Sequence, residues 1–370
     1  MLTHFRFDLI PKILYAKYRE ANLNTDFAVD LYREHLRVWN GFKEYDNPDK
    51  NTFEKFKESF DNLLDSMKTE GFKEEFAVPV TKEGHLLNGS HRVAAAMTYK
   101  VPIKTRVSTN PRDGQVNCSS EFFRQLGLGE KWLDAMALHY VIMGSDLKII
   151  TLFPARDSSK DPIVENIINN AVPIVYKKTF DVNDNGLFNL ISQLYFGEPW
   201  LSNGVDPLAG VKLKAVFCGG SAPVKVFLVQ SPPEDLKEKI RDVYAIEKHS
   251  AHINDTDAET QRIAKVVFNN NSIHFLNNFD PEQLRGGSDL LNTQEHDILF
   301  NPFNHFFFND TLIPTKQDNI SVLFLWKNDQ RIIDELHSIG QIKEIKTVKV
   351  SDKGKYNLLD QIHYGKPWWE

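Results

Sequence analysis

A mixed α/β chain is what this sequence predicts, with an α+β N-terminal domain followed by an α/β region. Three observations carry that expectation. Apolar residues recur at three- and four-residue spacing through most of the first 70 positions, as on helices that bury one face. Residues 77–107 then run as strand, turn, strand, polar loop, helix and strand. From residue 147 onward, continuous apolar strands alternate with amphipathic helices, the pattern of an α/β sheet.

The elements follow in order. Residues 1–50 read as helical, with Phe27, Leu31, His35 and Val38 of FAVDLYREHLRVW on one face. Residues 52–69 place Phe53, Phe56, Phe60, Leu63, Leu64 and Met67 at helical spacing, and Gly71 ends that helix as a C-terminal cap would. Short strands at Ala77–Val80 and His85–Leu87 flank a turn at Lys82-Glu83-Gly84. A helix from about Arg92 to Tyr99 and a strand from Val101 to Val107 complete that series, and residues 120–143 read as helical again. LKIITLF (147–153) is a buried strand, DPIVENIINN a helix ending near Ala171, VPIVYKKTF (172–180) a strand and LFNLISQLYFGEPW a helix. The apolar SIHFLN, which holds His274, reads as a strand.

A repeat organises the second half. NLISQLYFGEPW (189–200) and NLLDQIHYGKPW (357–368) share Asn, Leu, Gln, Gly, Pro and Trp at matched positions, and a strand–helix–strand series precedes each. The simplest account is a duplicated βαβα unit (146–201 and 320–370) in one pseudo-symmetric sheet, with residues 202–319 inserted between the copies. The expected domains are therefore 1–115, a helical connector at 116–145, and 146–370. Trp200 and Trp368, at the ends of the repeated helices, suit packing or stacking on a sugar.

Composition narrows the function classes. The chain has 370 residues, enough for two or three domains that each bury a core. Its formal net charge is -6 and no basic tract of five residues occurs, which argues against nucleic acid as the main partner. Two cysteines, Cys118 and Cys218, lie 100 positions apart, so neither a cysteine zinc site nor a disulfide framework is expected. The N-terminus lacks a signal-like apolar core and no run of 18 apolar residues occurs, so a cytoplasmic protein without a membrane span is expected.

Residues 86–99, LLNGSHRVAAAMTY, hold the sharper signal. A polar NGSHR stands between a strand-like approach and an apolar helix-like run. A helix start offers unpaired N–H groups and the positive end of the dipole. Gly89 would let the backbone approach an anion, Ser90 would cap the helix, His91 would donate a proton near neutral pH and Arg92 would fork onto a phosphate. An ordinary Asn-Gly-Ser turn with a helix cap is the competing explanation.

The stretch 62–107 resembles the ParB/sulfiredoxin superfamily, in which a strand leads into a D/N-G-x-H-R or G-C-H-R loop that opens a helix. Asn88, Gly89, Ser90, His91 and Arg92 match that loop, followed by the small Ala94, Ala95 and Ala96, over roughly residues 55–110. The resemblance implies a nucleotide-phosphate site and a nucleotide such as ATP, ADP or CTP with Mg²⁺. Sulfiredoxin chemistry needs a Cys where Ser90 stands, and the helix-turn-helix and basic surface of partition proteins are missing. Free-serine kinases usually show D-G-H-H-R; this chain keeps His91 and Arg92 and changes the positions of Asn88 and Ser90. A kinase also needs a carboxylate to take the hydroxyl proton, for which Glu34, Glu70, Glu74 and Glu75 are candidates.

A second cluster lies at 244–277. Lys248, His249, His252, Asn254, Asp255, Thr256 and Glu259 crowd into twelve positions. Thr256-x-x-Glu259 is a capping box, whereas Lys248, His249 and His252 would point cationic groups at one anion. His249, His252 and Asp255 are also conceivable metal ligands, although their spacing fits no common zinc motif. CGGSAPVKVFLV (218–229) invites comparison with polymerase-β-type nucleotidyltransferases, but the strand carries no acidic pair for two metals. The whole chain also resembles uncharacterised proteins encoded among bacterial capsule and surface-polysaccharide genes.

The leading expectation is a nucleotide-dependent kinase acting on a small hydroxylated metabolite, such as serine or a sugar or polyol precursor of a surface polymer. Two alternatives stay open. One is a nucleotidyl- or glycosyltransferase centred on His249, His252 and Asp255 with a regulatory N-terminal domain, and the other is a non-catalytic, nucleotide-gated binding protein.

Overall fold

The computed structural model describes residues 2–20, 26–44, 47–110, 113–195, 198–201, 203 and 209–278, together with the strands Ile320–Leu325 and Ile342–Thr347. The chain is of mixed α/β class. It divides at Gly144 into two units, Met1–Gly144 and Ser145–Glu370. The stretch 116–145, read above as a connector, thus lies almost wholly inside the first unit.

The first unit holds α1 (Leu9–Glu20), α2 (Asp26–Asn40), α3 (Phe53–Glu70), β1 (Val78–Val80), α4 (Ser90–Tyr99), β2 (Thr105–Val107), α5 (Ser120–Gln125) and α6 (Glu130–Met143). α3 forms where its apolar spacing places it: Thr52 accepts a hydrogen bond from the Lys55 N–H at 3.3 Å, and Gly71, at φ +75°, closes the other end. Its face of Phe53, Phe56, Phe60, Leu64 and Met67 is buried against Leu9, Ile13 and Ala16 of α1, Tyr32 and Leu36 of α2, and Val93 to Ala96 of α4. The three small alanines leave room for neighbouring helices to approach α4 closely. β1 and β2 pair in parallel, with Val78 opposite Thr105. The expected strand at His85–Leu87 is a single antiparallel bridge, Leu86 to Val80, because only the Leu87 N–H and His85 carbonyl reach back to that edge.

The second unit holds β3 (Leu147–Leu152), α7 (Asp161–Ala171), β4 (Ile174–Phe180), α8 (Asp184–Leu194), α9 (Ala209–Cys218), β5 (Val224–Gln230), α10 (Leu236–Tyr244), β6 (Ala251–Ile253), α11 (Asp257–Val267), α12 (Asn270–Asn278), β7 (Ile320–Leu325) and β8 (Ile342–Thr347). Four strands form one sheet in the order β4-β5-β3-β6, and each neighbouring pair is antiparallel. The segment expected as an insertion therefore supplies β5, between β4 and β3, and β6 at the far edge. Val226 to Val229 are completely buried, so the segment fills the middle of the core rather than decorating it.

The repeat is expressed unequally. β3 and β4 are separated by β5, whereas β7 and β8 pair directly in parallel and form a separate two-stranded sheet. The expected single pseudo-symmetric sheet is thus not what the described strands form; the second copy's NLLDQIHYGKPW, with Trp368, lies outside the described residues. SIHFLN, expected as a strand, is part of α12. Its last carbonyl groups are taken by α8 asparagines, Asn189 Nδ2 donating to Leu276 O at 2.8 Å and Asn183 Nδ2 to Asn277 O at 3.0 Å. That long-range capping stabilises a helix end that the short apolar run does not disclose.

Candidate functional site

The approach to the NGSHR loop is anchored from the N-terminus. Arg6 makes a buried bidentate pair with Asp8, at 2.7 and 2.6 Å, and turns its Nη1 to the Leu86 carbonyl at 2.9 Å. Asn88 Oδ1 accepts the Gly89 N–H at 2.6 Å. Gly89 then takes φ +90° and stands at the N-cap position without any side-chain cap, and Ser90 is the first residue inside α4 rather than its cap. The first intrahelical bond runs from the Val93 N–H to the Gly89 carbonyl at 3.0 Å. The N–H groups of Ser90, His91 and Arg92 precede it and have no intrahelical acceptor. The positive φ favours glycine at 89, since it strains any L side chain, and a Cβ there would lie 2.8 Å from Arg92 Nη2 and push the guanidinium aside.

Arg92 folds back over Gly89 and donates from Nη1 to the carbonyl groups of Phe76 and Ala77. Burial, and then the positive charge of Arg106, lower its pKa, yet a guanidinium stays charged at neutral pH. Among the described residues no carboxylate lies within ion-pair distance of Arg92, so this half-buried cation is held by neutral oxygens alone.

His91 is differently placed from the reading that made it a proton donor. Its Nε2 is hydrogen-bonded to the Tyr32 hydroxyl at 2.7 Å, and its ring meets the Phe60 ring edge-on at 4.9 Å. Burial, then repulsion from Lys12 and Lys50, push its pKa well below the usual histidine range. At neutral pH it is an uncharged imidazole that fixes the start of α4 against α2 and α3.

Asn88, Gly89, His91 and Arg92 share the wall of a cleft of about 620 Å³ with Phe60, Leu63, Ser66 and Met67 of α3 and with Phe72 and Phe76 after it. Glu44, Asn47 and Lys50, in the loop between α2 and α3, line the same cleft. That volume is typical of a small-molecule site. Glu44 pairs with Lys50 at 3.0 Å, and Lys50 also lies 4.4 Å over the Phe56 ring.

The four carboxylates suggested by the sequence are not in that wall. Glu34 pairs with Arg37 on α2 at 2.9 Å, Glu70 with Lys73 at 2.8 Å on an exposed helix end, and Glu74 with Lys104 at 3.2 Å, while Glu75 is exposed. Glu44 is the carboxylate that the described lining contains. It sits in KEYDNPDKN, which reads as a plain polar loop, so no local pattern marks it. Tyr32 is not marked either, because one position from Leu31 turns it about 100° around the helix from the face of Phe27, Leu31 and His35.

The second cluster does not converge. The Lys248 carbonyl accepts the buried Lys214 Nζ at 2.6 Å, His249 lies against the Phe217 ring at 4.8 Å, and His252 is a strand residue opposite Thr151 whose ring lies 4.6 Å from that of Tyr195. Burial, and then nearby Lys237, push the His252 pKa down to about 3. Asp255 projects outward to Lys237 at 3.5 Å. Among the described residues no three His, Cys, Asp or Glu side chains come together as metal ligands. Thr256 and Glu259 form the capping box: Thr256 Oγ1 accepts the Glu259 N–H at 3.2 Å, and Glu259 Oε2 accepts the N–H groups of Asp255 and Thr256 at 2.7 and 3.1 Å. The glycines of CGGSAP serve close packing, since a Cβ on Gly220 would lie 2.4 Å from the Pro154 carbonyl oxygen.

No described helix is long and apolar enough to cross a membrane. Comparison with protein-family models, curated proteins and solved structures finds no match to this chain.

Proposed function

We propose that the first unit carries a nucleotide-dependent phosphotransferase site, acting on a small hydroxylated metabolite such as serine or a sugar or polyol precursor. One observation carries this reading: among the described residues, an uncapped helix start and an arginine without a carboxylate partner open on the same cleft as the carboxylate Glu44. Free N–H donors and a guanidinium suit phosphate oxygens, and phosphoryl transfer asks a protein mainly for positioning and charge stabilisation.

The roles follow from the geometry. The N–H groups of Ser90, His91 and Arg92 hold phosphate oxygens, and the Arg92 guanidinium offsets the charge that spreads over the transferred group. Glu44 takes the proton from the acceptor hydroxyl, whose oxygen then bonds to the terminal phosphorus as the shortened nucleotide leaves. His91, neutral and tied to Tyr32, orients the loop and donates only its backbone N–H. Mg²⁺ would neutralise nucleotide phosphate charge when bound; a cleft whose described lining offers the carboxylate Glu44 fits a metal that arrives on its nucleotide, since Mg²⁺ keeps waters and phosphate oxygens as most of its ligands.

The test is ³¹P NMR of the full chain with Mg²⁺ and ATP, CTP or ADP, with and without serine and simple polyols. A phosphomonoester signal that is lost in Arg92→Ala and in Glu44→Gln, both with native circular dichroism, is the expected result. Product formation unchanged in Arg92→Ala, or no product with any pairing, overturns the reading.

A further inference from the structure

Phe76 ends a single 3-10 turn, Glu74–Phe76, and is 56% exposed although it is a large apolar ring. Exposed aromatics elsewhere in the first unit have partners: Trp39 packs on the rings of Phe122 and Phe123 at 5.6 and 5.9 Å. Phe76 has no ring partner among the described residues. Its backbone is held in place, because its own carbonyl receives the Arg92 guanidinium. It lines the 620 Å³ cleft beside Arg92 and Gly89, and Phe72, Phe60, Leu63 and Met67 continue the apolar surface there. An exposed, unpaired aromatic face next to a phosphate-type cation suits one class of ligand: a flat heteroaromatic group joined to phosphates.

We propose that Phe76 is the stacking platform for the base of a nucleoside phosphate whose phosphates reach Arg92 and the start of α4. This rests on the nucleotide reading of the cleft and adds to it the residue that recognises the base. One hydrogen bond couples the two recognition elements, because the arginine is tied to the backbone that carries the ring. A π face accepts every base, so the site is base-tolerant and gains affinity from the nucleoside as a whole.

Isothermal titration of the full chain with a non-hydrolysable nucleoside triphosphate and, separately, with inorganic tripolyphosphate tests this, both with Mg²⁺. The wild type is expected to bind the nucleotide more tightly than tripolyphosphate. Phe76→Ala should weaken nucleotide binding by roughly 5- to 150-fold, the range set by about 1–3 kcal/mol of base stacking, and leave tripolyphosphate binding unchanged. Phe76→Trp should keep nucleotide affinity. Because the ring is exposed, its truncation leaves the core intact. Nucleotide bound equally by the wild type and Phe76→Ala overturns the platform, as do equal wild-type affinities for nucleotide and tripolyphosphate; in both cases the phosphate site stands. A wild type that binds neither ligand overturns the nucleotide reading, and the platform with it.

Discussion

Two helix starts, at α4 and α11, carry the same kind of sequence signal and end in opposite states. Each starts at a run of polar and cationic residues: α4 begins within NGSHR, and α11 follows KHSAHINDT. At α11 the protein fills its own N-terminus: Thr256 and Glu259 satisfy each other's backbone donors, and Asn254 ties the approach to β3 through the Ile149 N–H at 2.6 Å. At α4 the N-cap is a glycine with no side chain to offer, so the first-turn donors face outward beside Arg92. A cluster of polar residues before a helix therefore says that N–H groups will be met, but not whether by the chain itself or by a ligand. The residue at the N-cap decides between them.

The largest expected effect falls on the open end. Arg92→Ala should reduce kcat/KM of the proposed phosphotransfer by about 10³-fold or more, with Arg92→Lys recovering part of it because only the planar fork is lost. Thr256→Ala should leave kcat/KM unchanged. Equal sensitivity of the two variants would erase the distinction between the helix starts.

Acid should separate the units next. His35 and His139 are buried in the first unit, and both ring nitrogens of His35 lack hydrogen-bond partners. Burial pushes His35 well below the usual histidine pKa and His139 to about 3. The second unit buries His252, also near 3. The sign follows from proton uptake by the unfolded chain: below about pH 6.5 it binds protons that the folded state refuses, so stability is lost as pH falls from there toward 3. At pH 5.5 each such histidine costs about 1.4 kcal/mol; with His91, which the first unit also holds neutral, that unit loses about 4 kcal/mol against about a third of that in the second. Hydrogen exchange at pH 7.5 and 5.5 in urea, resolved by unit, measures the difference; equal losses would show that other groups govern acid stability.

Gly89→Ala comes third. It forces a side chain into a left-handed backbone and against Arg92, costing roughly 1–2 kcal/mol by urea unfolding and displacing the guanidinium. Nucleotide binding should weaken together with stability. A variant of full stability and full affinity would mean that the loop relaxes without cost. The smallest effect is the cap itself: Thr256→Ala should cost about 1 kcal/mol in the second unit alone. A loss well below that would place the closing interaction of α11 in Asn254 instead.

Legibility varied with how local each feature is. α3 was readable within one residue of each end because one stripe of Phe53, Phe56, Phe60, Leu64 and Met67 and a Gly after it act locally, although Thr52, read as part of the helix, is its N-cap. The capping box of α11 was readable for the same reason. Glu44 was not, because it joins the cleft through a loop with no pattern of its own, and α12 was read as a strand because the groups that finish it, Asn183 at the N-cap of α8 and Asn189 within α8, are distant in sequence. β5 was readable as a strand but not as the centre of the sheet, since an apolar run records burial without recording its neighbours.

By itself the sequence determined the α/β class, the positions of most helices and strands, and the polar loop that opens α4, because periodicity, caps and turns act over a few residues. Only the tertiary structure decided that β5 enters the sheet between β3 and β4, that His91 is neutral, that Arg92 meets no carboxylate among the described residues and that Glu44 shares its cleft. Those outcomes depend on which groups are brought near one another from distant parts of the chain, and on the water that their packing removes.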